Sequence, residues 1–196
     1  MIDSAQLRSE PPRVLLSGRP GCGKTTVIRR AVELIGASRC AGFYTEELRE
    51  QGRRVGFDVV TVDGQRAPLA RAGAAGPRVS RYGVDVGSFE DLGVAALESG
   101  LARGDRVLVI DEIGKMELHS DRFVRLLQRI LAPGAEWPVL GTILLGRHPG
   151  LHWLEGRRDI ERISVSPGNR DELPLRLSRI YRDCLGRPRA GDAGTP

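Results

Sequence analysis

Lysine is almost missing from this chain. Of its 30 basic residues only Lys24 and Lys115 are lysines; all the others are arginines. Arginine serves as well on a solvated surface. The surviving lysines are therefore expected where a compact, mobile ammonium is needed and a planar guanidinium cannot substitute. Cysteine is equally sparse. Cys22, Cys40 and Cys184 form no CxxC pair and have no histidine at ligand spacing, which excludes a zinc ribbon or a disulfide framework and fits reduced cytosolic thiols. His119, His148 and His152 are too scattered for a metal cluster, and Pro149-Gly150 argues against the helix that the spacing of the last two would need. Aromatics make up only 5% of the chain, too few for a base-stacking platform, so the net charge of +5 reads as an arginine-rich solvated surface mixed with 25 acids. Nucleic acid is accordingly the less favoured partner. No apolar run approaches the ~18 residues of a membrane span. The polar start, Met1 to Pro12, offers no secretory or transit signal, and a cytoplasmic location is expected.

What the chain does contain is a regular alternation of short β-branched runs and helical stretches, the pattern of an α/β fold with a mostly parallel sheet sandwiched by helices. Residues 1–12 read as a leader, 13–185 as one domain, and 186–196, rich in Gly and Pro, as a tail. Strands are expected at Arg13–Ser17, Gly42–Leu48, Arg106–Ile110, Pro138–Leu144 and Ile160–Val165, five in the core. Gln51-Gly52 turns the second of them into Val55–Val62, and Asp63-Gly64 turns the chain again, so a β-hairpin is inserted into the α/β order. Helices are expected at Lys24–Ile35, from about Ser88 to Leu101, from a Ser120 cap through Leu131, and at Asp171–Cys184.

Gly18-Arg19-Pro20-Gly21-Cys22-Gly23-Lys24-Thr25 matches G-x-x-x-x-G-K-[ST], the Walker A phosphate loop, and Thr26 continues it. The loop must wrap backbone N–H groups around phosphate oxygens, which asks for glycines, and the helix that follows adds its positive N-terminus. Lys24 is then the point charge on the β- and γ-phosphates, and the Thr25 hydroxyl a Mg²⁺ ligand. Cys22 fills a free position of the motif as a small side chain.

Val107-Leu108-Val109-Ile110-Asp111-Glu112 is an apolar run ending in two carboxylates, a Walker B pattern, with Ile113 and Gly114 following. A buried parallel strand delivers the side chains at its C-terminal end to the crevice where open α/β sheets bind ligands. Asp111 would serve Mg²⁺, and Glu112 would polarise the water that attacks the γ-phosphate. A carboxylate directly after the metal aspartate favours hydrolysis over transfer to an acceptor.

On GRPGCGKTT (18–26), AGFYTEELREQGRRVGFDVVTVDG (41–64), RYGVDV (81–86), VLVIDEIGKMEL (107–118), PVLGTI (138–143) and NRDELP (169–174), the sequence resembles the THEP1-type nucleoside-triphosphatases from about Arg13 to Leu177. The resemblance implies a P-loop NTPase core of the ASCE (RecA-like) type with strand order 5-1-4-3-2 and slow Mg²⁺-dependent hydrolysis of several NTPs to NDPs. It places nucleotide contacts on Gly18–Thr25 and Val107–Gly114. Thr142, at the end of the fourth strand, would lie beside the γ-phosphate in that order. Lys115 reads either as a surface lysine after a tight turn or as a finger reaching the transition-state charge. Asn169 and Arg170 follow the fifth strand, on the base side. The rival readings are a phosphotransferase acting on a nucleotide or nucleic-acid end, and an ATPase stimulated by RNA or DNA. A monomer or weak oligomer is expected.

Overall fold

The computed structural model describes residues 10–186. Residues 1–9 and 187–196, which hold most of the expected leader and tail, lie outside the described residues. Strands β1 (Arg13–Ser17), β2 (Cys40–Glu50), β3 (Arg53–Thr61), β4 (Arg66–Ala72), β5 (Arg78–Val79), β6 (Tyr82–Val84), β7 (Val107–Ile113), β8 (Val139–Ile143) and β9 (Glu161–Ser164) form one sheet in the order β5-β6-β4-β3-β2-β7-β8-β1-β9. The pairs β2/β7, β7/β8, β8/β1 and β1/β9 are parallel. Numbered along the chain, those five strands run 5-1-4-3-2 across the sheet.

Burial on both faces is what makes this core parallel. In β1, Val14 and Leu16 point to one face and Leu15 to the other. The first face packs against α1 (Lys24–Ile35) and α5 (Leu173–Leu185), through Val27, Ile28, Ala31 and Ile35 of α1 and Leu173, Leu177 and Tyr181 of α5. The second packs against α2 (Val86–Phe89), α3 (Ala95–Arg103) and α4 (Asp121–Ile130), with a π-helical stretch, Glu90–Val94, joining α2 to α3. Phe43, Phe89 and Phe123 meet edge-to-face at its centre, with centroids 5.2–6.0 Å apart. Ser120 caps α4 by accepting from Phe123 N, and its hydroxyl donates to Glu90.

The inserted element is larger than the expected hairpin. Strands β3, β4, β6 and β5 add to β2 in antiparallel order and extend the same sheet. Gln51 and Gly52, both at positive φ (48° and 78°), make the tight β2–β3 turn. The next strand carries Pro68 and three alanines, with no β-branched residue to announce it. Tertiary contacts hold it instead: Leu69 and Ala70 are buried, and Arg66 and Arg71 both pair with the buried Asp58 of β3, at 2.9 and 2.5 Å. Arg66 also pairs with Glu46 of β2, which binds Arg29 of α1 at 2.5 Å.

Two further expectations shift. The acidic strand β7 runs on to Ile113, so its carboxylates lie within it. Residues Pro149–Leu154 do form a short 3₁₀ helix, because a proline at the first position gives up an N–H that would have had no partner there. His148 Nδ1 accepts from Gly150 N, and His152 Nδ1 lies 2.8 Å from Pro149 O, so both rings serve this turn.

Arg13 opens β1 almost fully buried, paired with Asp159 at 2.8 Å and donating to Ala135 O. Replacing it by methionine leaves Asp159 with Arg157 alone and removes the donor to the Ala135 carbonyl. We expect Arg13→Met to lower unfolding free energy by about 3 kcal/mol, the low end for breaking a buried pair. Hydrogen bonding from Arg157, aided by the Arg13 charge, holds the Asp159 carboxyl down at about 2. A depressed folded value means that this stabilisation is present above the unfolded value of 3.8 and is lost as pH falls towards 2. Urea unfolding across that range should show a shallower acid limb in Asp159→Asn.

Candidate functional site

All of the expected phosphate and metal residues gather at the C-terminal ends of the parallel strands. Residues 18–23 join the end of β1 to the first turn of α1. Gly23, the N-cap of α1, has φ 103°, a conformation open to glycine. Gly18 is needed for space: a Cβ there would sit 2.8 Å from Cys22 Sγ and 3.0 Å from Val165 O. Arg19, Pro20, Gly21 and Thr26 are exposed on the loop and first turn, while Lys24 and Thr25 are half-buried beneath it. Lys24 Nζ donates to Gly18 O at 3.1 Å, folding its ammonium back across the loop. N–H groups at a helix start and an adjacent ammonium together make an anion site.

Opposite the loop stands Asp111. Its side chain is fully buried, and burial pushes its carboxyl above the usual range, opposed by Thr142, Thr25, Lys24 and Arg29. Thr142 Oγ1 donates to Asp111 Oδ1 at 2.5 Å, which is where β8, lying between β1 and β7, puts that hydroxyl. Asp111 Oδ2 has no hydrogen-bond partner among the described residues. A buried carboxylate oxygen left open beside a threonine hydroxyl and a lysine fits a hard divalent cation, which seeks oxygen ligands. Val107, Leu108, Val109 and Ile110 are fully buried; they carry the acidic pair and do not reach solvent. The β7–β8 register breaks between Ile110 and Ile113, releasing Asp111 and Glu112 from the regular ladder. Glu112 is half-buried; desolvation raises its carboxyl, the Lys24 charge opposes this, and Asp111 adds to it.

The outlying candidates separate. Arg170 lies against the phosphate loop, its Cδ 3.7 Å from where a Cβ on Gly23 would be. Asn169 is occupied by its own loop, accepting from Ser166 N and donating to Ser164 O, both at 2.9 Å. Lys115 is exposed in the turn after β7 and forms no ion pair among the described residues. Two neighbours escaped the sequence reading. Arg29, one turn after Thr25 on α1, stacks over the Tyr44 ring at 4.7 Å, and Tyr44 is in register with Asp111. Glu117, three residues beyond Gly114, is a second buried carboxyl of this corner. The i,i+4 spacing of Thr25 and Arg29 was the available signal for the first.

A glycine-rich loop running from a central parallel strand into a helix start, facing a buried aspartate two strands away, defines a P-loop nucleotide-binding protein. Within that class the chain belongs to the NTPase family, whose profile matches residues 13–178. It is 43% identical over 175 residues to the human (Homo sapiens) cancer-related nucleoside-triphosphatase, covering 82% of this chain and 91% of that protein. The nucleoside-triphosphatase THEP1 of Methanopyrus kandleri is 43% identical over 173 residues, with 85% and 93% covered. Among solved structures, the crystal structure of THEP1 from Aquifex aeolicus superposes with a TM-score of 0.78 at 31% identity, covering 89% of this chain and 99% of that one. The solution structure of the human cancer-related nucleoside triphosphatase gives 0.74 at 39% identity, with 90% and 100% covered.

Thr142 supplies the hydrogen bond that the Asp111 carboxylate receives from β8. Thr142→Val keeps the shape and removes the donor, so Asp111 should lose about 1–3 kcal/mol of compensation for its burial. Urea unfolding without nucleotide should register that loss, and Thr142→Ser should recover most of it.

Proposed function

We propose that this chain is a Mg²⁺-dependent nucleoside-triphosphatase that hydrolyses ATP, GTP and other NTPs to NDP and phosphate with broad base tolerance. The observation that carries the reading is Glu112, a half-buried carboxylate directly after the buried Asp111 and within the field of Lys24. The names of the relatives support the activity, and the residues supply its steps.

Lys24 and the backbone N–H groups of residues 21–25 bind the β- and γ-phosphates and orient the γ-phosphate towards β7. Thr25 and Asp111 would hold Mg²⁺, which neutralises charge between the two phosphates when bound. Glu112 accepts a proton from water as the water oxygen bonds to the γ-phosphorus. The bond from that phosphorus to the bridging oxygen breaks, and its electron pair stays on the β-phosphate as NDP leaves. Thr142 keeps Asp111 in place. Lys115, exposed in the turn after β7, would be the cation that meets the charge developing on the γ-phosphoryl oxygens. With Asn169 held by its own loop, contact on the base side falls to Arg170, whose guanidinium stacks on any base.

We further read the protein as cytoplasmic and as a monomer or weak oligomer; no helix among the described residues is long and apolar enough to cross a membrane. Phosphate release measured with each NTP, with and without Mg²⁺, tests the whole reading. Turnover that requires an added phosphoryl acceptor or nucleic acid would replace it with one of its rivals. Glu112→Gln should bind MgATP nearly as well as wild type while turning over roughly 10²–10⁴ times more slowly. A decrease of only a few-fold would remove Glu112 from the role of base.

The loop and the acidic strand grip phosphate and metal, which are common to all NTPs. Strong discrimination needs buried donors and acceptors matched to one base edge. ATP, GTP, CTP and UTP should therefore differ in kcat/KM by no more than about a hundredfold. A preference for one base beyond about a thousandfold would contradict the generalist reading.

A further inference from the structure

Glu117 is the one buried carboxyl of the catalytic corner to which the hydrolytic steps give no task. It opens the 3₁₀ turn Glu117–His119 that follows β7, and only 4% of it is exposed. A Cβ built on Gly114 would lie 2.7 Å from Glu117 Oε2, and 3.4 and 3.5 Å from Glu112 Cγ and Cδ. The Glu112 and Glu117 side chains thus converge on the same bare Cα, with Glu117 Oε2 in the space a Cβ would take and Glu112 at ordinary contact distance from it. Leu118 N donates to Gly114 O, which closes the turn and fixes Glu117 beneath it.

Among the described residues no cation pairs with this carboxyl. Lys115 and His119 in the same turn are exposed, and neither pairs with it. The charged groups acting on it from β7 are Glu112 and Asp111, both acids. The elements packed on the turn add Glu90, which is engaged by the Ser120 hydroxyl. They also add Asp121 and Arg122 of α4, and Arg122 is paired with Glu98. None of these forms an ion pair with Glu117.

We propose that Glu117 is a positioning residue for hydrolysis, supporting the Glu112 side chain from the blind side of Gly114 so that its carboxylate faces the attacking water. The inference rests on the reading of Glu112 as the base. A buried carboxyl beside two other acids is driven towards its neutral form. Here burial first, then the Glu112 and Asp111 charges, raise it to about 8, against hydrogen bonds from the backbone of Glu117 and Gly114. In that form it adds no third negative charge to the corner, and it carries an O–H that can be given to an acceptor when nucleotide and water assemble the site. The same logic lets a protonated carboxylic acid act as a donor in other active sites.

Glutamine reproduces the shape and donor capacity of the neutral acid, and leucine reproduces the approximate volume without either polar atom. Glu117→Gln should keep kcat within a few-fold of wild type at neutral pH. Glu117→Leu should lower kcat by about 10–100-fold, the range for losing an outer-shell partner. Its KM and nucleotide affinity should stay close to wild type, and a thermal melt should report an intact fold. Should the leucine variant fail to fold, the pH profile still decides. Wild-type turnover should fall as pH rises through about 8, because Glu117 then ionises. Glu117→Gln cannot ionise and should hold its rate. Full kcat in Glu117→Leu, or a glutamine variant as slow as the leucine one, would overturn the positioning role. Glu112→Gln assayed in parallel separates the two readings: if wild type hydrolyses NTPs and Glu112→Gln does so equally well, the assignment of the base fails and this inference falls with it.

Discussion

The burial of one carboxylate, Asp111, sets the terms for the rest of the molecule. Enclosing an ionised group costs several kcal/mol unless neighbours make up for it, and here they come from three directions. Thr142 reaches it from β8, Thr25 and Lys24 approach from the phosphate loop and α1, and Arg29 adds charge from one turn further along that helix. The 5-1-4-3-2 order is what makes this possible, since β8 must lie between the loop-bearing β1 and the acidic β7 for Thr142 to span the gap. Even so, one oxygen is left over. The local structure is consistent with a site completed by something positively charged.

The antiparallel extension is tied to the same constraint. Thr25 and Arg29 lie four residues apart on one face of α1, so fixing one fixes the rotation of the other. Arg29 is held by the Tyr44 ring and by Glu46, both on β2, and Glu46 leads through Arg66 to Asp58 and Arg71. Partly buried, networked ion pairs of this kind resist screening better than isolated surface pairs. The extension therefore braces the helix that follows the glycine-rich loop, and β2 serves both as the edge of the parallel core and as the root of the added sheet.

Much of this was legible in the sequence, and for identifiable reasons. The turn after β1 and helix α1 lie where they were expected because glycine spacing, a capping glycine and a helical apolar stripe agree within one stretch. The central parallel strands β1, β7 and β8 read correctly because burial on both faces leaves apolar runs such as Val107 to Ile110. Strand β4 did not, since Pro68 and its alanines carry no strand preference and are held there by pairing of Arg66 and Arg71 with Asp58. Within the site, the loop, Asp111 and Thr142 come together as their positions in the strand order suggested. The polar capacity of Asn169, by contrast, is spent on its own loop. Glu117 stayed hidden because burial of a lone glutamate cannot be seen in composition or periodicity; only the packing around Gly114 exposes it.

The scarcity of lysine has a practical consequence once its two positions are seen in space. Lys24 crosses the phosphate loop and Lys115 stands exposed in the turn after β7, so both side-chain amines of this protein lie at one end of the sheet. Any chemistry that acts on lysine amines, whether acylation by a metabolite, enzymatic acetylation or a laboratory amine reagent, is therefore directed to the nucleotide end. An arginine-covered body with its lysines confined to the phosphate corner turns a nonselective electrophile into a site-directed one.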